Sequence, residues 1–201
     1  PSNSILMQAH EINAILSGII SVWFSNKENI WVYPSGLIGT ILYVYISIQG
    51  DLFGEAAVNL FYTIMSLYGW YNWLRKDQSF KPIVRITYSN SYDWKIQLGF
   101  FAVMYSVIYT SLYFIKEYFS PGAIPWADAL ASSAAFTGMW LMTRKKVESW
   151  IWWIITNLAS IPLYFVKGYT FTSGYYTILL VMAVFGFFSW RKKAHETSIV
   201  Q

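Results

Sequence analysis

Seven apolar stretches, at 5–24, 31–49, 55–74, 96–116, 126–143, 149–167 and 173–190, make up most of this 201-residue chain. Each is close to the roughly 20 residues a helix needs to cross hydrocarbon, where an unpaired backbone polar group costs several kcal/mol and a helix satisfies its own. With 56% apolar, 20% aromatic and only 12% charged residues, the chain has too little polar surface to face water on every side. The expected fold is an all-α integral membrane protein with seven transmembrane helices. Glu11 and Asn13 interrupt the first stretch, which could be taken for a signal peptide. No Lys or Arg precedes it and no small-residue cleavage site follows, so it is counted as a span.

Basic residues set the expected orientation, because loops rich in Lys and Arg stay cytoplasmic. Lys27 follows span one, Arg75, Lys76, Lys81, Arg85 and Lys95 follow span three, Arg144, Lys145 and Lys146 follow span five, and Arg191, Lys192 and Lys193 follow span seven. Only Lys116 and Lys167 fall on the other side. This places the N-terminus outside and the C-terminus in the cytoplasm, with Lys76 to Lys95 as the longest cytoplasmic connection and a disordered tail expected after Lys193. The formal net charge of +4 is thus topological, and no nucleic-acid partner is expected. Without Cys there is no thiol nucleophile or thiolate metal site, and the two histidines, His10 and His195, lie near the ends.

The chain also resembles itself. Glu11 to Trp23, then Lys27-Glu28-Asn29-Ile30-Trp31, parallels Asp128 to Trp140, then Lys146-Val147-Glu148-Ser149-Trp150. Gly69-Trp70-Tyr71-Asn72-Trp73-Leu74-Arg75-Lys76 parallels Gly186-Phe187-Phe188-Ser189-Trp190-Arg191-Lys192-Lys193, and the offset stays between 117 and 119. The expectation is a single membrane domain of two three-helix units, 5–75 and 125–192, joined by a connector helix at 94–118. An odd number of spans, with basic ends on both units, makes this a parallel 3+1+3 repeat like that of the SWEET sugar transporters, whose substrate sits near the midplane between units.

All ten acidic residues lie at span ends or in loops, so no span carries a mid-membrane carboxylate of the kind proton-driven pumps use. No paired carboxylates, Ser-His-Asp set, phosphate loop or metal-ligand spacing appears, which argues against an enzyme, a metal site or a bound cofactor and for facilitated diffusion. What remains at depth is neutral and aromatic. Asn157 is mid-span, with Trp153 one turn earlier on the same face. Asn59 and Thr63 lie in span three, the repeat offset sets Tyr176 opposite Asn59, and Tyr175 adjoins it. Asp128 opens span five, where a carboxylate also favours a helix N-terminus. Candidate substrate-binding residues are therefore Asn59, Thr63, Asp128, Trp153, Asn157, Tyr175 and Tyr176. Such a pocket suits a small planar or cationic organic solute, through stacking, cation–π attraction and amide hydrogen bonds. Ala131-Ser132-Ser133-Ala134-Ala135 makes span five a close-packing helix.

Three segments resemble a known family: Tyr68-Gly69-Trp70-Tyr71-Asn72-Trp73, Met142-Thr143-Arg144-Lys145 with Val147-Glu148 and Trp150, and Ile155-Thr156-Asn157. They are similar to the bacterial PnuC nicotinamide riboside transporters, and the likeness runs from about Glu11 to Trp190. It implies an inner-membrane facilitator for nicotinamide riboside whose uptake is made unidirectional by a cytoplasmic riboside kinase, and a homotrimer with one pathway per protomer. As family pattern it marks Asn157, Asp128, Gly69, Tyr68, Trp70, Trp73 and Trp150, the last four as gating or motif positions. A facilitator for thiamine, riboflavin or a sugar is the competing reading, and a membrane scaffold or receptor a third.

Overall fold

The computed structural model describes the backbone of residues 2–49, 53–119 and 121–199, and the side chains of 12–49, 53–118 and 121–199. Asp51 and the side chains of His10 and Glu11 lie outside the described residues. Seven helices follow one another: α1 (Ser2–Asn26), α2 (Val32–Gln49), α3 (Phe53–Leu74), α4 (Ser91–Phe119), α5 (Pro125–Thr143), α6 (Ser149–Val166) and α7 (Thr170–Ile199). Each contains one of the seven apolar stretches to within a few residues. Among the described residues, four are long and apolar enough to cross a membrane on length and composition alone: α2, α4, α6 and α7. α5 is rich in small residues and is buried along Ala127, Ala129, Ala131, Ser133, Ala134 and Ala135. Small side chains let its neighbours approach closely, which is how helices adhere where lipid is as apolar as leucine.

α1, α2 and α3 pack in sequence, as do α5, α6 and α7, and α4 lies against α5. Between the two sets, α1 meets α7 and α3 meets α5. The aromatic core sits where these contacts reach the end of the bundle that carries the basic loops. Trp73 donates from Nε1 to the Met142 carbonyl (3.2 Å), and Trp190 donates to the Ser25 carbonyl (2.9 Å). Adding 117 to Trp73 gives Trp190, and adding 117 to Ser25 gives Met142. The same offset relates the Asn72 amide on the Thr143 carbonyl (2.9 Å) to the Ser189 hydroxyl on the Asn26 carbonyl (3.2 Å). It relates the edge-on contact of Tyr33 with Trp73 (5.1 Å, 84°) to that of Trp150 with Trp190 (5.6 Å, 87°). Trp31, matched to Trp150 in the sequence at an offset of 119, is 59% exposed, while Trp150 is 2% exposed. The residue that occupies Trp150's counterpart position is Tyr33, because the α1–α2 turn holds 117 throughout.

Two expectations are corrected. The segment after Lys193 is helical to Ile199 rather than disordered, since Ala194 is buried in the aromatic core and Lys193 reaches Glu28 (3.2 Å). The 76–95 connection is shorter and folded. α4 begins at Ser91 through a reciprocal cap, in which Asp93 N–H donates to Asn90 Oδ1 (2.8 Å) and Asn90 N–H to Asp93 Oδ2 (3.2 Å). Before it, Thr87 bridges the α5–α6 turn by accepting from Val147 N–H (3.1 Å) and donating to the Lys145 carbonyl (3.2 Å). Glu148 accepts from both the N–H (2.9 Å) and the hydroxyl (2.8 Å) of Ser89, and Ile86 is buried beneath. A polar connection of this length would be loose without such long-range bonds.

Candidate functional site

Inside the bundle, rings from four helices converge. Phe61 and Tyr62 of α3 stand against Phe136 of α5, with centroids 4.2 and 5.8 Å away, and Tyr62 also faces Trp153 of α6 at 6.2 Å. Tyr164 of α6 stacks on Tyr176 of α7 (5.2 Å, 16°), and Tyr175 lies 5.5 Å from Tyr176. The Tyr62 phenol is within electrostatic range of both Tyr175 and Tyr176, so the two groups of rings are near neighbours in one aromatic cluster. A Cβ on Gly18 of α1 would fall on the Tyr175 hydroxyl, so that close approach needs glycine. Trp153 is held in place from the α5 side, where a Cβ on Gly138 would come within 3.2 Å of its Nε1.

Asn157 is one helical turn along α6 from Trp153, on the same face, and is 2% exposed. Its Oδ1 is buried and accepts no hydrogen bond. A buried acceptor left unmade costs about 1–3 kcal/mol, a cost that Asn157 shares with Asn26 Oδ1, Tyr33 Oη, Gln97 Nε2, Ser149 Oγ and Trp150 Nε1. Neighbouring Thr156 shows the contrast, because its hydroxyl is spent on its own helix at the Trp152 carbonyl (3.0 Å).

The other candidates are placed differently. Asn59 turns its Nδ2 back to the Glu55 carbonyl (3.0 Å), and the Thr63 hydroxyl contacts Thr40 Oγ1 (3.0 Å) and the Asn59 carbonyl (2.9 Å). Asp128 is engaged twice. Both its oxygens meet Lys167 Nζ, at 2.8 and 2.9 Å, and Oδ2 accepts the Ile124 N–H at the start of α5 (2.6 Å). That geometry closes the α5 N-terminus and ties it to the end of α6, which accounts for the carboxylate without a ligand.

Of the motif aromatics, Tyr68 is 48% exposed, whereas Trp70, Trp73 and Trp150 belong to the core at the basic end. That core abuts the aromatic cluster, since Trp153 packs against both. Gly69 and Gly186 make it possible. A Cβ on Gly69 would come within 2.5 Å of the Tyr33 ring, and one on Gly186 within 2.7 Å of the Trp150 ring. Tyr33 Oη and Trp150 Nε1, 117 residues apart, are both buried without a partner.

Sequence reasoning missed Phe61, Phe136 and Tyr164. Tyr164 lies seven residues beyond Asn157 and eleven beyond Trp153, on the helical stripe they define, and that spacing was the available signal. Phe61 and Phe136 carry no such mark, because an apolar ring facing a chamber is indistinguishable in sequence from one facing lipid.

The chain is similar to known proteins over most of its length. A family model described as nicotinamide mononucleotide transporter matches residues 8–192. The nicotinamide riboside transporter PnuC of Escherichia coli K12 is 25% identical, over 90% of this chain and 84% of its own. The PnuC of Neisseria mucosa is 28% identical over 89% of this chain and 70% of its own, and the riboflavin/roseoflavin transporter RibM of Streptomyces davaonensis is 25% identical over 90% and 84%. Among solved structures, the crystal structure of the vitamin B3 transporter PnuC superposes with a TM-score of 0.73 at 25% identity, covering 93% of this chain and 82% of that one. With a family match that spans all seven helices, the chain belongs to the nicotinamide mononucleotide transporter family, the PnuC family of membrane transporters.

Proposed function

We propose that this protein is a facilitative transporter for nicotinamide riboside. The observation that carries the reading is Asn157, whose buried and unpaired Oδ1 lies on α6 one turn from Trp153, itself part of the aromatic cluster of Tyr62, Phe136, Tyr164, Tyr175 and Tyr176 that we read as the substrate chamber. Nicotinamide riboside has a cationic pyridinium ring for the aromatic faces and a carboxamide N–H to fill the vacant acceptor. Each ring contact with a desolvated cation contributes on the order of 1–2 kcal/mol, and the amide bond about 1 kcal/mol more. The PnuC relatives carry this substrate in their names.

The scaffold we infer is a parallel 3+1+3 duplication, SWEET-like, with α4 as connector and the chamber between the units. It is supported by the hydrogen bonds and ring contacts that recur with an offset of 117. The loop charges favour a multi-pass protein of the bacterial inner membrane with the N-terminus outside and the C-terminus in the cytoplasm. Without a carboxylate at depth, directionality would come from phosphorylation of the riboside by a cytoplasmic kinase, and the resemblance favours a homotrimer. Riboflavin is the second reading, because RibM matches as much of the chain as the E. coli PnuC does.

Uptake of radiolabelled nicotinamide riboside into proteoliposomes, with no ion gradient and with unlabelled competitors, tests the proposal. Saturable uptake that equilibrates but does not accumulate, blocked by the riboside and not by riboflavin, thiamine or glucose, is the expected result. Uptake that requires a sodium or proton gradient, or that only riboflavin inhibits, would reject it.

A further inference from the structure

At the basic end, away from Asn157, the folded 75–90 connection and the α5–α6 turn border an open cleft of about 610 Å³ lined by Asn72, Asp77, Arg85, Thr87, Arg144 and Lys146. Its walls are preformed. Thr87 is held across the turn by its two backbone bonds, and the Asn72 amide is anchored on the Thr143 carbonyl. The charges are unevenly used. Lys146 is balanced by Asp93 (3.0 Å) and also donates to the Tyr88 carbonyl (3.3 Å). Asp77 is turned into its own loop, with Oδ1 accepting from Ser79 N–H (2.8 Å) and Lys81 N–H (2.9 Å). Arg85 reaches the Pro82 carbonyl (3.4 Å), and Arg144 lies over the Trp140 ring (5.5 Å) and within longer electrostatic range of Asp93, which Lys146 already pairs. Among the described residues neither guanidinium has a carboxylate within ion-pair distance.

A topological signal needs only positive charge on one side of the membrane, in any arrangement. It does not require two guanidiniums without an ion-pair partner lining one open cleft. We propose that this cleft is a binding site for a phosphate group, with Arg85 and Arg144 as its two forks and the Thr87 hydroxyl as an additional donor. The guanidinium fork matches the tetrahedral oxyanion bidentately, and Arg keeps its charge under all working conditions. A carboxylate fits less well, since two forks offer more donors than its two oxygens can take up while Asp77 already opposes a weaker anion. The phosphate can arrive on the headgroup of an anionic lipid of the adjoining leaflet or on a small soluble phosphate. The site is separate from Asn157 and does not depend on which solute the chamber carries.

The test uses the full chain purified in a phosphate-free detergent. Inorganic phosphate is titrated calorimetrically at constant ionic strength, and native mass spectrometry follows retention of phosphatidylglycerol against phosphatidylcholine. Arg85→Gln/Arg144→Gln is compared with Lys27→Gln/Lys192→Gln, which removes the same charge from the same end away from the cleft. Loss of at least tenfold in phosphate affinity, or of at least threefold in phosphatidylglycerol retention, confined to the arginine pair, is expected. Phosphate binding without lipid preference identifies the soluble source, and lipid preference without phosphate binding identifies the headgroup. Arg85→Gln alone, in an exposed loop with a single weak contact, should retain the fold and lose at least threefold in the same readout. Equal losses in both double variants, or neither phosphate binding nor lipid preference in the unmodified protein, would overturn the site.

Discussion

Glu28 and Lys145, 117 residues apart, are joined by a 2.8 Å ion pair, and both adopt the left-handed backbone conformation (φ 57° and 51°). A non-glycine residue in this region costs on the order of 1–2 kcal/mol, so the turns that end α1 and α5 share the same strained shape and are fastened to each other. Lys193 adds a second cation to Glu28 at 3.2 Å, which brings α7 into the same knot.

Lys145 retains 7% of its side-chain exposure and Glu28 27%. Removing the carboxylate leaves a mostly buried ammonium without its counter-charge, a loss we place at about 2 kcal/mol after allowing for the partial exposure of Glu28. Glu28→Gln should therefore lower the Tm by roughly 4–8 °C. Glu117→Gln, whose pairing with Lys116 is long (3.9 Å) and exposed, should leave it unchanged. Thermal melts followed by intrinsic fluorescence decide the matter, and equal melting temperatures would remove Glu28 from the account of stability.

Gly69→Ala and Gly186→Ala should each destabilise by about 1–3 kcal/mol, because a methyl group at either place meets a ring that cannot move aside. Gly99, with nothing within 4 Å of its would-be Cβ, provides the control. Gly99→Ala should be neutral or slightly stabilising, as alanine is the better helix former. The comparison is read from melting temperatures of the three variants, and tolerance at both core glycines would contradict the packing described.

Asp128→Asn, Lys167→Gln and the double variant form a thermodynamic cycle. The pair is partly exposed, so each single change should cost about 1 kcal/mol and the double little more than either, showing that the two act together. Riboside affinity should stay within about twofold throughout. A tenfold loss on Asp128→Asn alone would return that carboxylate to the list of ligands.

Hydropathy alone located the seven helices, because the bilayer demands apolar length and the chain supplies it in separated blocks. It failed where charge lies within a helix. Ser91 to Lys95 and Arg191 to Ile199 look like loop or tail in sequence, yet a cap at Asn90 and burial of Ala194 make them helical. In the chamber, Asn157, Trp153, Tyr175 and Tyr176 were legible as polar or amphipathic groups at a depth where they need a reason. The engagement of Asp128 was not, since Lys167 is 39 residues away. Nor was the cleft at the basic end, which exists only because Thr87 crosses to a turn almost 60 residues further on.

Under the proposed function, the Asn157 amide, with its unpaired Oδ1 beside the aromatic cluster, receives nicotinamide riboside. Isothermal titration of the purified protein and of Asn157→Leu, with nicotinamide mononucleotide, thiamine, riboflavin and glucose as controls, tests it most directly. The account predicts micromolar or tighter binding of the riboside, none of the phosphorylated form, and at least about a tenfold loss in the leucine variant at unchanged melting temperature, the equivalent of one hydrogen bond of about 1.4 kcal/mol. Riboside affinity unchanged by Asn157→Leu, or a chamber that takes only riboflavin, thiamine or glucose, would contradict it.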